Sequence, residues 1–263
     1  MTITLLVQRF LDRPRKASTQ KLYKFYLDLF LERKHSFQVT DLKVFHLTEL
    51  MDKRSDRHGL CKVVKTCFKW LNDNEYIDRD PFAKVKTPPC PKRGESAYIP
   101  PERWSQIVDK VHDDLLDILT VLKETGCRPQ EARIIEARHL QGQCCVLTLD
   151  ESKGGQTQRV IHLSDAAYAI LQRLRLKYPE GPLLRARGKP WKAQQLANRC
   201  NRLGFQCYQL RHTWATNAIL RGLDLQTIAV LMGHSDLTML SKIYSHIQKR
   251  DSHLQEALQR VTA

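Results

Sequence analysis

The stretch from Lys84 to Pro100 most constrains what this chain can fold into. It carries Pro88, Pro89, Pro91 and Pro100, a glycine at position 94 and several basic residues, with no apolar period. Proline has a fixed φ and no backbone N–H, so such a run continues neither a helix nor a central strand. It divides the chain into a helical N-terminal domain over residues 1–86, a basic Pro-rich linker over 87–100, and a second domain over 101–263 with a C-terminal tail helix. A chain of 263 residues suits two modest domains.

A hydrophobic fraction of 42 % supports packed cores and argues against disorder. The longest apolar runs are too short to span a bilayer. The start, Met1 to Val7, has neither the basic region nor the cleavage site of a secretion signal. The net charge of +15 asks for a polyanionic partner, nucleic acid or an anionic membrane surface. The excess is denser early on, with 20 Lys and Arg against 11 Asp and Glu in residues 1–94, and 23 against 17 afterwards. None of the eight cysteines forms a C-x-x-C pair, which fits reduced thiols in a cytoplasm better than a metal knuckle.

Along the chain the pattern is mostly helical. Leu22, Tyr23, Phe25, Tyr26, Leu29 and Phe30 make a stripe over 19–33, flanked by Lys21 and Lys24. A helix capped at Thr40 or Asp41 runs towards Met51. Another spans about 57–72, with Val63, Val64, Cys67, Phe68 and Leu71 apolar and Lys62, Lys65 and Lys69 beside them. Those lysines, with Lys92 and Arg93 of the linker, are candidates for non-specific contacts to a phosphate backbone.

Pro101 opens a helix. Leu115 to Leu122 reads as a buried helix closed at Gly126, and Pro129 starts another over 130–137. Residues 144–149 and 158–163 read as a hairpin around the turn Asp150-Glu151-Ser152-Lys153-Gly154-Gly155. Ser164 or Asp165 caps a helix to about Tyr178, a loop covers 179–190, and a helix follows over 191–202. Short helices close the chain at 209–221, 224–232, 236–245 and about 248–260.

Within this frame stand Thr125-Gly126-Cys127-Arg128-Pro129-Gln130-Glu131, then Lys153 in the hairpin turn, then Tyr208-Gln209-Leu210-Arg211-His212-Thr213. Gly233-His234-Ser235 and Lys242-Ile243-Tyr244 follow. Each basic or aromatic residue alone would pass for an ordinary surface group. In this order and context they resemble the tyrosine recombinase, or phage integrase, family, over nearly the whole chain. The resemblance implies a mainly α fold with a small β-sheet, a core-binding domain and a catalytic domain that close around duplex DNA. It also implies a site-specific DNA recombinase that cuts and rejoins strands through a 3′-phosphotyrosine, without metal, ATP or other cofactor. Its partners would be double-stranded DNA and further copies of the chain, as a tetramer on two sites, in the cytoplasm of a bacterial or phage-infected cell, at the nucleoid.

The resemblance implies a role for each residue. Arg128 and Arg211 would neutralise the phosphorane, since a guanidinium offers a planar fork and keeps its charge. Glu131 falls at the family's acidic position. Lys153 would protonate the 5′-oxygen leaving group, His234 would bond the scissile phosphate, and Tyr244 would be the nucleophile. No separate arm-binding domain is expected ahead of the core-binding helices.

Two departures from the family pattern stand out. Tyr208 occupies the position where the family usually has histidine, three residues before Arg211. A phenol is a poor base but can donate to a phosphate, so Tyr208 is expected to orient the phosphate. Tyr244 lies one residue further from His234 than the commonest spacing, and one residue turns a helix by about 100°. A DNA-binding protein that has lost catalysis and a type IB topoisomerase-like relaxing enzyme stay open as alternatives. Integrase, mobile-element recombinase and chromosome-dimer resolvase are not distinguished.

Overall fold

Apolar residues at helical spacing make four helices of the N-terminal part: α1 (Ile3–Leu11), α2 (Ala17–Leu31), α3 (Phe45–Asp52) and α4 (Arg57–Asp73). The computed structural model describes residues 1–32, 34–90, 97–152, 158–233, 237 and 241, and separates into two compact units, Met1–Lys92 and Arg93–Ala263. Among the described residues no helix is long and apolar enough to cross a membrane.

Helix α4 is the axis of the first unit and packs against α1, α2 and α3. Phe30, Phe68 and Phe82 meet edge to face, with ring centroids 4.9 to 5.9 Å apart, and are fully buried. Gly59 lets α2 approach α4: a Cβ there would lie 2.6 Å from the Tyr26 hydroxyl. The α2 stripe differs from the sequence expectation. Leu27 and Leu31 are core, whereas Leu22 and Phe25 are about half exposed beside Lys21 and Lys24. Apolar residues run around more than one face of this helix, so spacing alone misjudged its inward side.

The ends of the expected linker are not free chain. The Pro88 carbonyl accepts from His58 Nδ1 at 2.7 Å, and Val85 and Phe82 are buried. Ile99 is buried in the second unit and donates its N–H to Thr213 Oγ1 at 2.9 Å. Apolar residues at the edges of the proline-rich run are what anchor it. Lys92 and Arg93 lie outside the described residues.

The second unit is built on α6 (Asp113–Thr125), which follows α5 (Pro101–Val108) and packs against α7 (Pro129–Ala132), α8 (Asp165–Lys177) and α10 (Tyr208–Leu220). Its apolar face, Leu115, Ile118, Leu119 and Leu122, is buried. The expected helix over 130–137 is shorter. After Ala132 the chain turns so that Ile135 accepts the Leu183 N–H at 2.7 Å and Glu136 bridges Pro182.

The expected hairpin is present and gains a third strand. β1 (Leu140–Gln141), β2 (Cys144–Leu147) and β3 (Arg159–His162) form an antiparallel sheet in that order, with Cys145 opposite Ile161 and Leu147 opposite Arg159. Cys145 is buried and Cys144 is not, as alternation requires. The loop over 179–190 contains a further small hairpin, β4 (Arg185–Ala186) and β5 (Lys189–Pro190). Its turn residues Arg187 and Gly188 both have positive φ, 51° and 76°. Such a turn is signalled by Asn-Gly or Asp-Gly far more often than by Arg-Gly, which hid it.

Helix α9 (Ala193–Arg202) precedes α10, and α11 (Leu225–Met232) follows it. Asp224 caps α11 through the Thr227 N–H at 2.8 Å, and Gly233 closes it in the left-handed conformation. Of the expected helix at 236–245 only Leu237 and Ser241 are described, the Ser241 N–H donating to Leu237 O at 2.8 Å, and the one at 248–260 lies outside the described residues.

Truncating Phe68 to alanine removes the centre of the aromatic cluster and should cost the first unit about 3–5 kcal/mol. The shift in its urea-unfolding midpoint measures this, and a loss under about 1 kcal/mol would contradict the packing described.

Candidate functional site

The backbone between α6 and α7 is bent by two sequence features. Gly126 ends α6 with φ +61°, and a Cβ there would lie 2.6 Å from the Trp214 ring of α10. Pro129 starts α7, leaving Arg128 at its N-cap. Glu131, one turn on, is 1 % exposed. Its carboxylate accepts the Arg128 backbone N–H at 2.8 Å and Arg128 Nη1 at 2.6 Å.

Helix α10 brings Tyr208 and Arg211 to this turn on one face, three residues apart. Arg211 is buried. Its Nη1 donates to Gly126 O and its Nη2 to Met232 O, each at 2.7 Å, while Nε is buried without a partner. Burial first, and then the neighbouring Arg128, lowers the pKa of this guanidinium. Tyr208 is half-buried, its ring 5.3 Å from that of His212, and it lines a cleft together with Arg128, Pro129, Gln130, Arg133 and Leu196.

A third arginine, which the motifs did not point to, completes the cluster. Arg159 starts β3 on its buried face. Its Nη2 donates to Leu231 O at 2.8 Å, its Nη1 to Val160 O at 2.6 Å and to Val230 O at 3.4 Å, and its Nε stands 3.6 Å from Glu131 Oε2. Arg128 Nη2 donates to Gly233 O at 2.9 Å. The carbonyls of Leu231, Met232 and Gly233, orphan acceptors at the end of α11, are thus each taken by an arginine, and Val230 O, which accepts the Gly233 N–H at 3.0 Å, also takes Arg159. The signal available in the sequence was a charged residue in phase with Ile161 and Leu163 on an inward strand face.

The sequence thus brings Arg128, Glu131, Tyr208 and Arg211 into one site. Lys153, His234 and Tyr244 lie outside the described residues, but the chain just before Lys153 and His234 is anchored. Gly233, directly before His234, is held by Arg128. Ahead of Lys153, Glu151 Oε2 accepts both the N–H and the hydroxyl of Thr148 at 2.9 Å, and Glu151 Oε1 accepts Arg138 Nη2 at 2.5 Å. His139 Nε2 is 3.1 Å from the same carboxylate.

The candidate DNA contacts divide. Lys62, Lys65 and Lys69 of α4 line one groove with Thr66 and Asn72, but Lys65 is committed to its own unit, where it donates to Ala83 O and Val85 O. The unpaired carbonyls that end the helical unit attract the nearest ammonium, and Lys65 is it. Lys21, Lys24, Lys62 and Lys69 are exposed, with Lys24 3.4 Å from Asp28 one turn on.

With this geometry established, residues 99–251 match the phage integrase family. The chain is 26 % identical over 264 residues to the tyrosine recombinase XerA of Pyrococcus furiosus, covering 94 % of this chain and 88 % of that one. It is 25 % identical over 245 residues to XerC of Bacillus subtilis, covering 80 % and 76 %. Its fold is similar to that of a Tn1549 transposon integrase solved with transposon right end DNA, with a TM-score of 0.75 at 17 % identity over the full length of both chains. It is similar also to a lambda integrase dimer bound to a core site, with a TM-score of 0.77 at 14 % identity over 92 % and 95 %. The chain belongs to the phage integrase family, the tyrosine-type site-specific recombinases.

Burial alone would raise the Glu151 pKa, but the Thr148 donors, Arg138 and His139 bring it down to about 2. A carboxylate depressed on folding contributes stability above its unfolded pKa of about 4.3 and loses it as pH falls through the folded value. The stability difference between wild type and Glu151→Gln should therefore be constant near neutrality and vanish as pH falls from about 4.3 to about 2. Denaturation curves across that window measure it, and a pH-independent difference would contradict the assignment.

Proposed function

We propose that this protein recombines DNA at specific sites by cutting and rejoining strands through a covalent 3′-phosphotyrosine, with Tyr244 as nucleophile. The observation that carries the reading is the arginine pair, buried Arg211 and half-buried Arg128, fixed beside Glu131 and next to Tyr208, with the segments leading to Lys153 and His234 anchored.

In this reading the Tyr244 oxygen attacks the scissile phosphorus and gives up its proton. The bond to the 5′-oxygen breaks, and Lys153 protonates the departing oxygen. Arg128 and Arg211 bind the non-bridging oxygens, whose negative charge is greatest in the pentacoordinate state. Part of each fork is spent on carbonyls, so the remaining guanidinium N–H groups meet the phosphate. His234 donates to the same phosphate. Tyr208 donates through its phenol where a histidine would serve as base, and water takes the nucleophile's proton. Because the linkage keeps the phosphodiester bond energy, the 5′-hydroxyl of a second strand reverses the step without ATP. The charge neutralisation is assigned to side chains, so the step is proposed to need no metal.

The first unit, in this reading, is the core-binding domain. Lys21, Lys24, Lys62 and Lys69 hold backbone phosphates and supply affinity that falls with salt. A lambda integrase tetramer has been solved on a Holliday junction. The same assembly is proposed here, four copies acting on two duplexes.

On a nicked suicide duplex carrying the native site, in EDTA, wild type should form a protein–DNA adduct that survives denaturing electrophoresis. Tyr244→Phe should form none. A protein that binds this DNA yet gives no adduct would point to the binding-only alternative, and supercoil relaxation without exchange between two sites would point to the topoisomerase-like one. In the same assay Tyr208→His should cleave as well as wild type or better; abolished cleavage by a folded Tyr208→His protein would exclude a role limited to phosphate donation.

A further inference from the structure

We propose that Arg159 is a positioning residue for strand cleavage: it braces the Glu131 carboxylate and the C-terminal carbonyls of α11 so that Arg128, Arg211 and the turn at Gly233 meet the phosphate in fixed geometry. The inference rests on the phosphotyrosine reading above.

Arg159 is 6 % exposed and sits where strand alternation would place an aliphatic residue, in phase with Ile161 and Leu163. Most of its donors leave its own strand. They go to Val230 O and Leu231 O, while Nε faces Glu131 at 3.6 Å. It therefore ties the base of the hairpin whose loop holds Lys153 to the helix end that runs into His234. Glu131 is shared. One oxygen takes Arg128 Nη1; the other takes the Arg128 backbone N–H and faces Arg159. Gly233 is shaped to the same group, since a Cβ there would lie 2.7 Å from Arg159 Nε.

A role in packing alone predicts something different. Removing one partner of a buried ion pair leaves the other under-compensated and lowers stability whatever the role, so melting alone does not discriminate. With packing alone, Arg159→Met would leave cleavage at saturating DNA unchanged whatever it did to melting. Displacement of reacting groups by about 1 Å costs up to on the order of a hundredfold in rate, so a bracing role predicts a loss of at least about tenfold.

The test uses the full chain on the nicked suicide duplex. Arg159→Met should keep site affinity within about twofold of wild type and lower the single-turnover cleavage rate at saturation by at least about tenfold. Arg159→Lys, which keeps the charge and part of the bonding, should fall between and covers the case in which the methionine variant fails to fold. Amide exchange in the peptide over 225–233 should rise in either variant, with the N-terminal unit unchanged. Wild-type cleavage rates in folded variants, or unchanged exchange over 225–233, would overturn the proposal. Absence of any adduct in wild type would instead sink the phosphotyrosine reading, and the exchange arm would still decide whether Arg159 braces α11.

Discussion

One carboxylate holds the centre of the C-terminal unit. Glu131 is almost fully buried between Arg128 and Arg159. Removing such a group from water costs several kcal/mol, which is offset only if its lone pairs are filled and opposite charge is close. Here the backbone N–H and guanidinium of Arg128 fill lone pairs, and Arg159, 3.6 Å away, adds opposite charge. Yet one carboxylate faces three arginines, and the end of α11 supplies roughly half a charge more. The site is left cationic in a poorly solvated place. That imbalance is costly to an empty fold and complementary to a group whose negative charge grows during reaction.

The arginines stand where secondary structures stop. Arg128 precedes α7, Arg159 opens β3, and Arg211 lies in the first turn of α10. Element ends leave backbone groups unpaired, and the exposed carbonyls of α11 are the natural acceptors for donors arriving from other segments. Arg211 reaches both Gly126 O and Met232 O only because α10 lies close against the end of α6. The missing Cβ of Gly126 allows that approach: the Trp214 ring fills the space, and its Nε1 donates to Glu124 O at 3.2 Å.

What could be read in the sequence follows the same division. Gly126 as a cap, Pro129 as a start, and Tyr208 with Arg211 on one helical face are local facts, set by two or three neighbouring residues. Three of the four helices of the first unit and the β2–β3 pairing were legible for that reason too. The inward side of α2 was not, because Leu22 and Phe25 are as apolar as Leu27 and Leu31, and only α4 decides between them. Lys65 looked like its neighbours Lys62 and Lys69 until the chain beyond Phe82 folded back on it. Arg159 was invisible as a site residue because all that distinguishes it is what lies across the fold, Glu131 and α11, both far away along the chain.

The way the arginines are held bears on what they can do. A surface arginine must give up rotamer freedom, worth up to about 2 kcal/mol, before it can grip a phosphate. Arg128 and Arg211 have given it up already, to carbonyls and a carboxylate. In the proposed reading their forks are therefore aimed before the phosphate enters, and binding need not order them. Lysine at either position would keep the charge, but not a planar fork able to hold a carbonyl and a phosphate oxygen at once. The same bonds that order α11 thus prepare the site, so stability and phosphate geometry here are two consequences of one set of contacts.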